Sequence, residues 1–202
     1  MQYINSLYKK SLRIVPAIIT ASLLIVGCTT PSAESIGLEQ GYLCCNMRTD
    51  GSWISDINYM ESGKRVVPFG TPVKFVGFGR YRVNIEIDGK RQSIGNDYSR
   101  DLAMEEFAKR YIVKENPRIK IATAPAAIRK AIESSRVTRG MTREQVIIAL
   151  GYPITSENPQ LDTQSWKFWL WSFSPFEVYF DDDGRVTKVT GDEETLRMVY
   201  LQ

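Results

Sequence analysis

The stretch from Gly140 to Pro153 constrains this chain more than any other, because it punctuates a helix at both ends. Thr142-Arg143-Glu144-Gln145 is a capping box: the Thr142 hydroxyl can accept from the Gln145 amide while the Gln145 side chain reaches back to the Thr142 amide. Met141, just before the cap, can pack on Val146 as a hydrophobic staple. The helix is predicted to end at Leu150, with Gly151 in left-handed geometry and Pro153 blocking continuation. Upstream, Pro125 suits the first turn of another helix, one that buries Ile128, Ala131 and Ile132.

Three strands are predicted to follow: Trp166–Trp171, Phe176–Asp181 and Val186–Val189, the last two joined by Asp182-Asp183-Gly184. The order and the residues together resemble a known family. Gly140-Met141-Thr142, Val146, Leu150-Gly151-Tyr152-Pro153, Trp166 with Phe168, and Val178-Tyr179-Phe180 ahead of Asp183-Gly184-Arg185-Val186 are similar to the SmpA/OmlA (BamE-like) domain. That family includes the small lipoprotein subunit of the outer-membrane β-barrel assembly machinery, and similar folds occur in β-lactamase inhibitor proteins. Over residues 125–202 the resemblance implies two helices packed on a three-stranded antiparallel sheet. It also implies a scaffold that works by binding an envelope protein rather than by catalysis. The extra region 41–120 sets this chain apart from the assembly subunit.

Residues 41–97 have the pattern of a β domain. Tyr81, Val83, Ile85 and Ile87 alternate with Arg82, Asn84, Glu86 and Asp88, which makes one face apolar and the other polar. Asp88-Gly89 then supplies a tight hairpin turn into Lys90–Ile94. Val73–Phe78 is a further strong strand, and Cys44–Met47 and Trp53–Tyr59 are weaker ones. The run Val67-Pro68-Phe69-Gly70-Thr71-Pro72-Val73 resembles the entry into an SH3-like barrel. That likeness implies peptidoglycan or peptide as an alternative partner and carries over no binding residue. The expected fold class is thus α+β, an SH3-like domain followed by the BamE-like one. Between them, residues 98–124 read as a connector, with a helix over 99–110 capped by Ser99 and carrying Asp101 in its first turn.

Ahead of all this, Lys9, Lys10 and Arg13 precede a mostly apolar run, Ile14–Val26. The run is too short to span a bilayer, which takes about 20 apolar residues, and it has the layout of an export signal. It closes on Ile25-Val26-Gly27-Cys28, which resembles the lipobox of bacterial lipoproteins. The resemblance implies a signal over residues 1–27, cleavage before Cys28, and lipidation of that thiol. Each buried methylene contributes about 0.8 kcal/mol, so two or three acyl chains anchor a protein without a spanning helix. Thr29 rather than Asp after the cysteine implies sorting to the periplasmic face of the outer membrane. Residues 28–40 are small and polar and read as a tether.

Charge and composition then exclude classes of function. Removing residues 1–27 takes away three of the 26 basic residues and no acidic one, leaving 23 against 23. A neutral chain lacks the electrostatic footprint of nucleic-acid binding. There is no histidine, so His-based triads and His-ligated metal sites are excluded. No carboxylate, Lys or Tyr grouping suggests catalysis, and neither a cofactor nor a metal is expected. Cys44 and Cys45, the thiols other than Cys28, are adjacent. They could be two inert buried thiols, a vicinal disulfide, or a bridge to another chain.

A candidate contact site lies in Trp166-Lys167-Phe168-Trp169-Leu170-Trp171. Alternation puts Trp166, Phe168 and Leu170 on one face and Lys167, Trp169 and Trp171 on the other. With Trp166 and Phe168 in the core, as the family resemblance implies, Trp169 and Trp171 form an outward aromatic pair. Such a pair either binds a partner or is covered by another part of the chain.

Overall fold

The computed structural model describes residue 37 and residues 39–202; the expected signal, Cys28 and most of the tether lie outside the described residues. In the first region Gln40–Leu43 (β1), Met47–Thr49 (β2), Trp53–Ser55 (β3), Arg65–Val67 (β4), Pro72–Gly79 (β5), Arg82–Ile87 (β6) and Lys90–Gly95 (β7) join Ile112–Val113 (β8) in one sheet. Its order is β4-β2-β3-β7-β6-β5-β1-β8. The β6–β7 hairpin turns on Asp88 and Gly89, whose φ values of 49° and 73° are the two positive angles that a type I′ turn demands. Val83, Ile85 and Ile87 point inward, whereas Tyr81 sits in the turn before β6 and is exposed, so the apolar face starts one repeat later than the alternation suggested. A register shift between Phe75 and Gly77 bends β5, as a bulge does, and lets the sheet curl.

The connector differs from expectation. Its helix runs over Met104–Tyr111 (α1), not 99–110, and Ser99 does not cap it. The buried Ser99 hydroxyl instead accepts from the Thr155 amide at 3.2 Å, and Asp101 accepts from the Thr155 hydroxyl, so both are spent on the second region. Phe107, Ala108, Tyr111 and Ile112 complete the first core with Leu43, Met47, Ile54, Val83 and Ile85. Ile121, at the end of a short helix Pro117–Ile121 (α2), belongs to the second core. Segment 98–124 therefore divides between the two cores. Cys44 and Cys45 are buried and form a vicinal disulfide.

In the second region Ala126–Glu133 (α3) and Arg143–Leu150 (α4) pack with an antiparallel sheet of Ser165–Trp169 (β9), Pro175–Phe180 (β10) and Val186–Gly191 (β11), in the order β11-β10-β9. The capping box forms, with the Gln145 amide 3.2 Å from the Thr142 hydroxyl and the Thr142 amide 2.9 Å from Gln145 Oε1. Gly151 follows α4 with φ 89° and ψ 175°. The positive φ was expected, but the extended ψ is not left-handed helical: it belongs to a region that essentially only glycine occupies. A further helix, Glu193–Val199 (α5), lay outside the two-helix expectation, although its signals were in the sequence. Asp192 caps it by accepting from the Thr195 amide at 2.8 Å, and Glu193 and Glu194 complement the helix dipole.

Two buried asparagines join the regions. Asn46 Nδ2 donates to the carbonyl of Ile132 at 2.7 Å, its Oδ1 accepts from the Phe69 amide at 3.0 Å, and its own amide donates to the Ile148 carbonyl at 2.9 Å. Asn58, at φ 58° where asparagine is tolerated, donates to the carbonyls of Leu150 (2.7 Å) and Asn46 (3.0 Å). Apolar side chains cross the boundary as well, Phe69 entering the second core and Tyr152 packing on the first.

Candidate functional site

The three-stranded sheet buries one face and leaves the other partly open. Register places Trp166, Phe168, Phe176, Val178 and Phe180 inward, all buried in the second core. Outward, Trp169 stands opposite Pro175, Lys167 opposite Glu177, and Ser165 opposite Tyr179, with Lys188 of β11 next to Tyr179. Polar partners tie these side chains down. Lys167 Nζ bonds Glu157 at 2.9 Å and lies 4.6 Å from the Trp169 ring, the Tyr179 hydroxyl donates to Glu177 at 2.6 Å, and Lys188 Nζ stands 4.3 Å from the Tyr179 ring. This is a half-buried, mixed surface.

The expected pair does not share a face. β9 stops at Trp169, and Trp171 lies in the loop 170–174, where the Leu170 amide bonds the Ser174 carbonyl (2.9 Å) and the Ser174 amide bonds the Trp171 carbonyl (3.0 Å). Leaving the strand frees Trp171 from alternation, and its half-buried ring packs against the second core. Trp169 remains on the outer face, also half buried. The loop tip carries Phe173, 92% exposed, which periodicity could not single out because it lies outside any repeat. A lone aromatic between two serines at a hairpin tip was the available signal. Phe173 therefore stands at the tip, Trp169 at the end of β9, and Trp171 against the second core.

The edge of β9 is closed to strand addition at this point. Asn158, itself buried, accepts from the Lys167 amide (2.8 Å) and donates to the Lys167 carbonyl (2.9 Å), copying the two bonds that a neighbouring strand would make. The Met60 amide takes the Leu170 carbonyl at 2.8 Å. Blocking an edge in this way guards against indiscriminate pairing.

Among the described residues no group of three Cys, Asp or Glu is placed to hold a metal ion. The buried carboxyl of Asp56 is raised to about 6 by desolvation, against hydrogen bonds from the amides of Tyr98 and Asp97 and from the Ser99 hydroxyl. It holds the turn after β7 through the amides of Asp97 and Tyr98. Among the described residues no helix is long and apolar enough to cross a membrane. Cys28 lies outside the described residues.

Residues 129–190, from α3 through β11, match the family model of the outer membrane protein assembly factor BamE domain. Searches of curated proteins and of solved structures gave no match. The second region, an α+β fold, thus carries a stretch similar to the BamE domain, a family described as an outer membrane protein assembly factor.

Proposed function

We propose that this protein is a non-catalytic accessory factor of outer-membrane assembly or maintenance, anchored through lipid on Cys28 to the periplasmic face of the outer membrane. Its partner is an envelope protein that contacts the hairpin tip around Trp169 and Phe173, with Trp171 supporting the loop from below. The single observation that carries this reading is the match of residues 129–190 to the BamE domain, which encloses the hairpin. Large aromatics on a pinned loop support it, since they supply much of the binding energy at interfaces. The first region reads as SH3-like. In support of that, β1 lies between β5 and β8 while β5, β6 and β7 run as an antiparallel meander.

A photo-crosslinking residue at position 173 in living cells tests the contact, with the same residue at Ile119, exposed on α2, as the control. The expected result is an adduct from position 173, identified by mass spectrometry as a component of the β-barrel assembly machinery and diminished by Trp169→Ser. Equal adducts from both positions, or none from 173, would sink the proposal.

A further inference from the structure

A second surface lies on the outer face of the first sheet. Register lines up Trp53, Ser93, Asn84 and Gly77 in one row across β3, β7, β6 and β5, and Ser55, Gly95, Arg82 and Gly79 in the next. Glycine at three of these positions lowers the floor, and the Trp53 ring fills the space where a Cβ at Gly95 would stand. Two adjoining clefts result, of about 460 and 540 Å³, which share Trp53, Arg82 and Asn84. Each falls in the size range of ligand sites.

The charge on this groove is one-sided. Arg82 lies 4.6 Å from the Trp53 ring, and Arg100 and Arg80 lie 4.2 and 5.4 Å from the Tyr81 ring. Among the described residues none of these three guanidinium groups has a carboxylate partner. Arg91, at the far end, stands opposite Glu86 in register, so it adds little net charge. The one carboxylate lining the groove, Asp97, accepts from the Ser55 hydroxyl at 2.7 Å. A guanidinium held against an aromatic ring is oriented and weakly hydrated, and its edge N–H groups stay available for two-pronged bonds to a carboxylate.

We infer that this groove binds an extended acidic peptide segment, with its carboxylates on Arg80, Arg82 and Arg100 and its backbone lying across Trp53 and Asn84. Charge complementarity selects an anionic occupant, and shape selects a chain. A planar bilayer cannot follow a concave floor, and the surface offers no protruding apolar anchor, since Val76 and Tyr81 are only about two-fifths exposed. Asn84 and Ser93, bonded to each other at 2.8 Å, give the floor the polar groups that a peptide backbone seeks. The inference concerns a different surface from the hairpin tip and does not depend on the assembly reading.

The test is fluorescence anisotropy of labelled hexaglutamate with the full-length protein in neutral detergent. Hexalysine and detergent-dispersed phosphatidylglycerol serve as comparisons, and Arg197→Ala, exposed in the second region, is the control variant. Hexaglutamate is expected to bind saturably and more weakly as salt rises. Arg82→Ala and Arg100→Ala should each weaken it about tenfold, the order expected for losing one charge-assisted contact. Arg82→Lys keeps the charge without the fork and should fall between wild type and Arg82→Ala. Three results would overturn the inference: no binding of hexaglutamate, equal binding of hexalysine, or equal weakening by Arg197→Ala. Binding of phosphatidylglycerol that depends on Arg82 and Arg100 without hexaglutamate binding would replace the peptide with a lipid and equally overturn it.

Discussion

Replacing Asn46 with alanine removes the side chain on which the two regions meet. The Phe69 amide, 3.0 Å from Asn46 Oδ1, loses its partner in a buried position, and an orphaned buried donor costs about 1–3 kcal/mol. The Ile132 carbonyl suffers less, because it also accepts from the Ser135 amide at 3.0 Å. The remaining bond, to the Ala149 carbonyl at 3.4 Å, is long and contributes little. Loss of packing at a fully enclosed site adds about 1 kcal/mol. The expected destabilisation is therefore about 2–4 kcal/mol, or roughly 5–15 °C in Tm for a chain of this size. Urea unfolding of the full-length protein, followed by tryptophan fluorescence and by circular dichroism, measures it. Wild type should unfold in one transition, because the asparagine latch and the crossing side chains couple the cores. Asn46→Ala should lower the midpoint and separate the two signals, since three of the four tryptophans, Trp166, Trp169 and Trp171, report on the second region and only Trp53 on the first. A loss below about 0.5 kcal/mol with coincident transitions would refute the view that Asn46 joins the regions.

Gly151→Val should cost about 3 kcal/mol, because φ 89° with ψ 175° is closed to a β-branched residue and the new Cβ would stand 3.3 Å from Met47 Sδ; an unchanged melt would show that the backbone there can relax. Asp56 holds its proton more tightly in the folded protein, with its carboxyl at about 6 against an ordinary 3.8, so its contribution to stability is present below about pH 4 and is lost as pH rises through 6. That difference amounts to about 3 kcal/mol between pH 4 and pH 8. Asp56→Asn should flatten this part of the stability profile, and a parallel profile in the variant would assign the slope to other groups. Cys28→Ser should abolish palmitate incorporation and leave a precursor of the full 23.0 kDa, whereas continued labelling would place the lipid elsewhere.

Local chemistry made some elements readable from the chain alone. The Thr142–Gln145 box, the Asp88-Gly89 turn and the alternation through Val83, Ile85 and Ile87 each depend on neighbours within a few residues, and each forms where the sequence put it. Asp192 with Glu193 and Glu194 is equally local, so the start of α5 is written in the sequence as well. Other outcomes turned on partners distant in sequence. Ser99 had the chemistry of a helix cap, but Thr155 competed for its hydroxyl. Trp171 had the spacing of an outward residue, but β9 ends two residues before it and the ring turned onto the core. The hairpin tip follows the same logic: Phe173 is exposed because the loop closes through Leu170 and Ser174, a pairing that no local repeat announces. The groove at Trp53 needed a parallel pairing of β3 with β7 that juxtaposes residues about 40 positions apart. Sequence by itself determined the elements whose hydrogen bonds close within a turn. Tertiary structure decided which surfaces stay open, because burial of a side chain depends on what the rest of the chain brings against it.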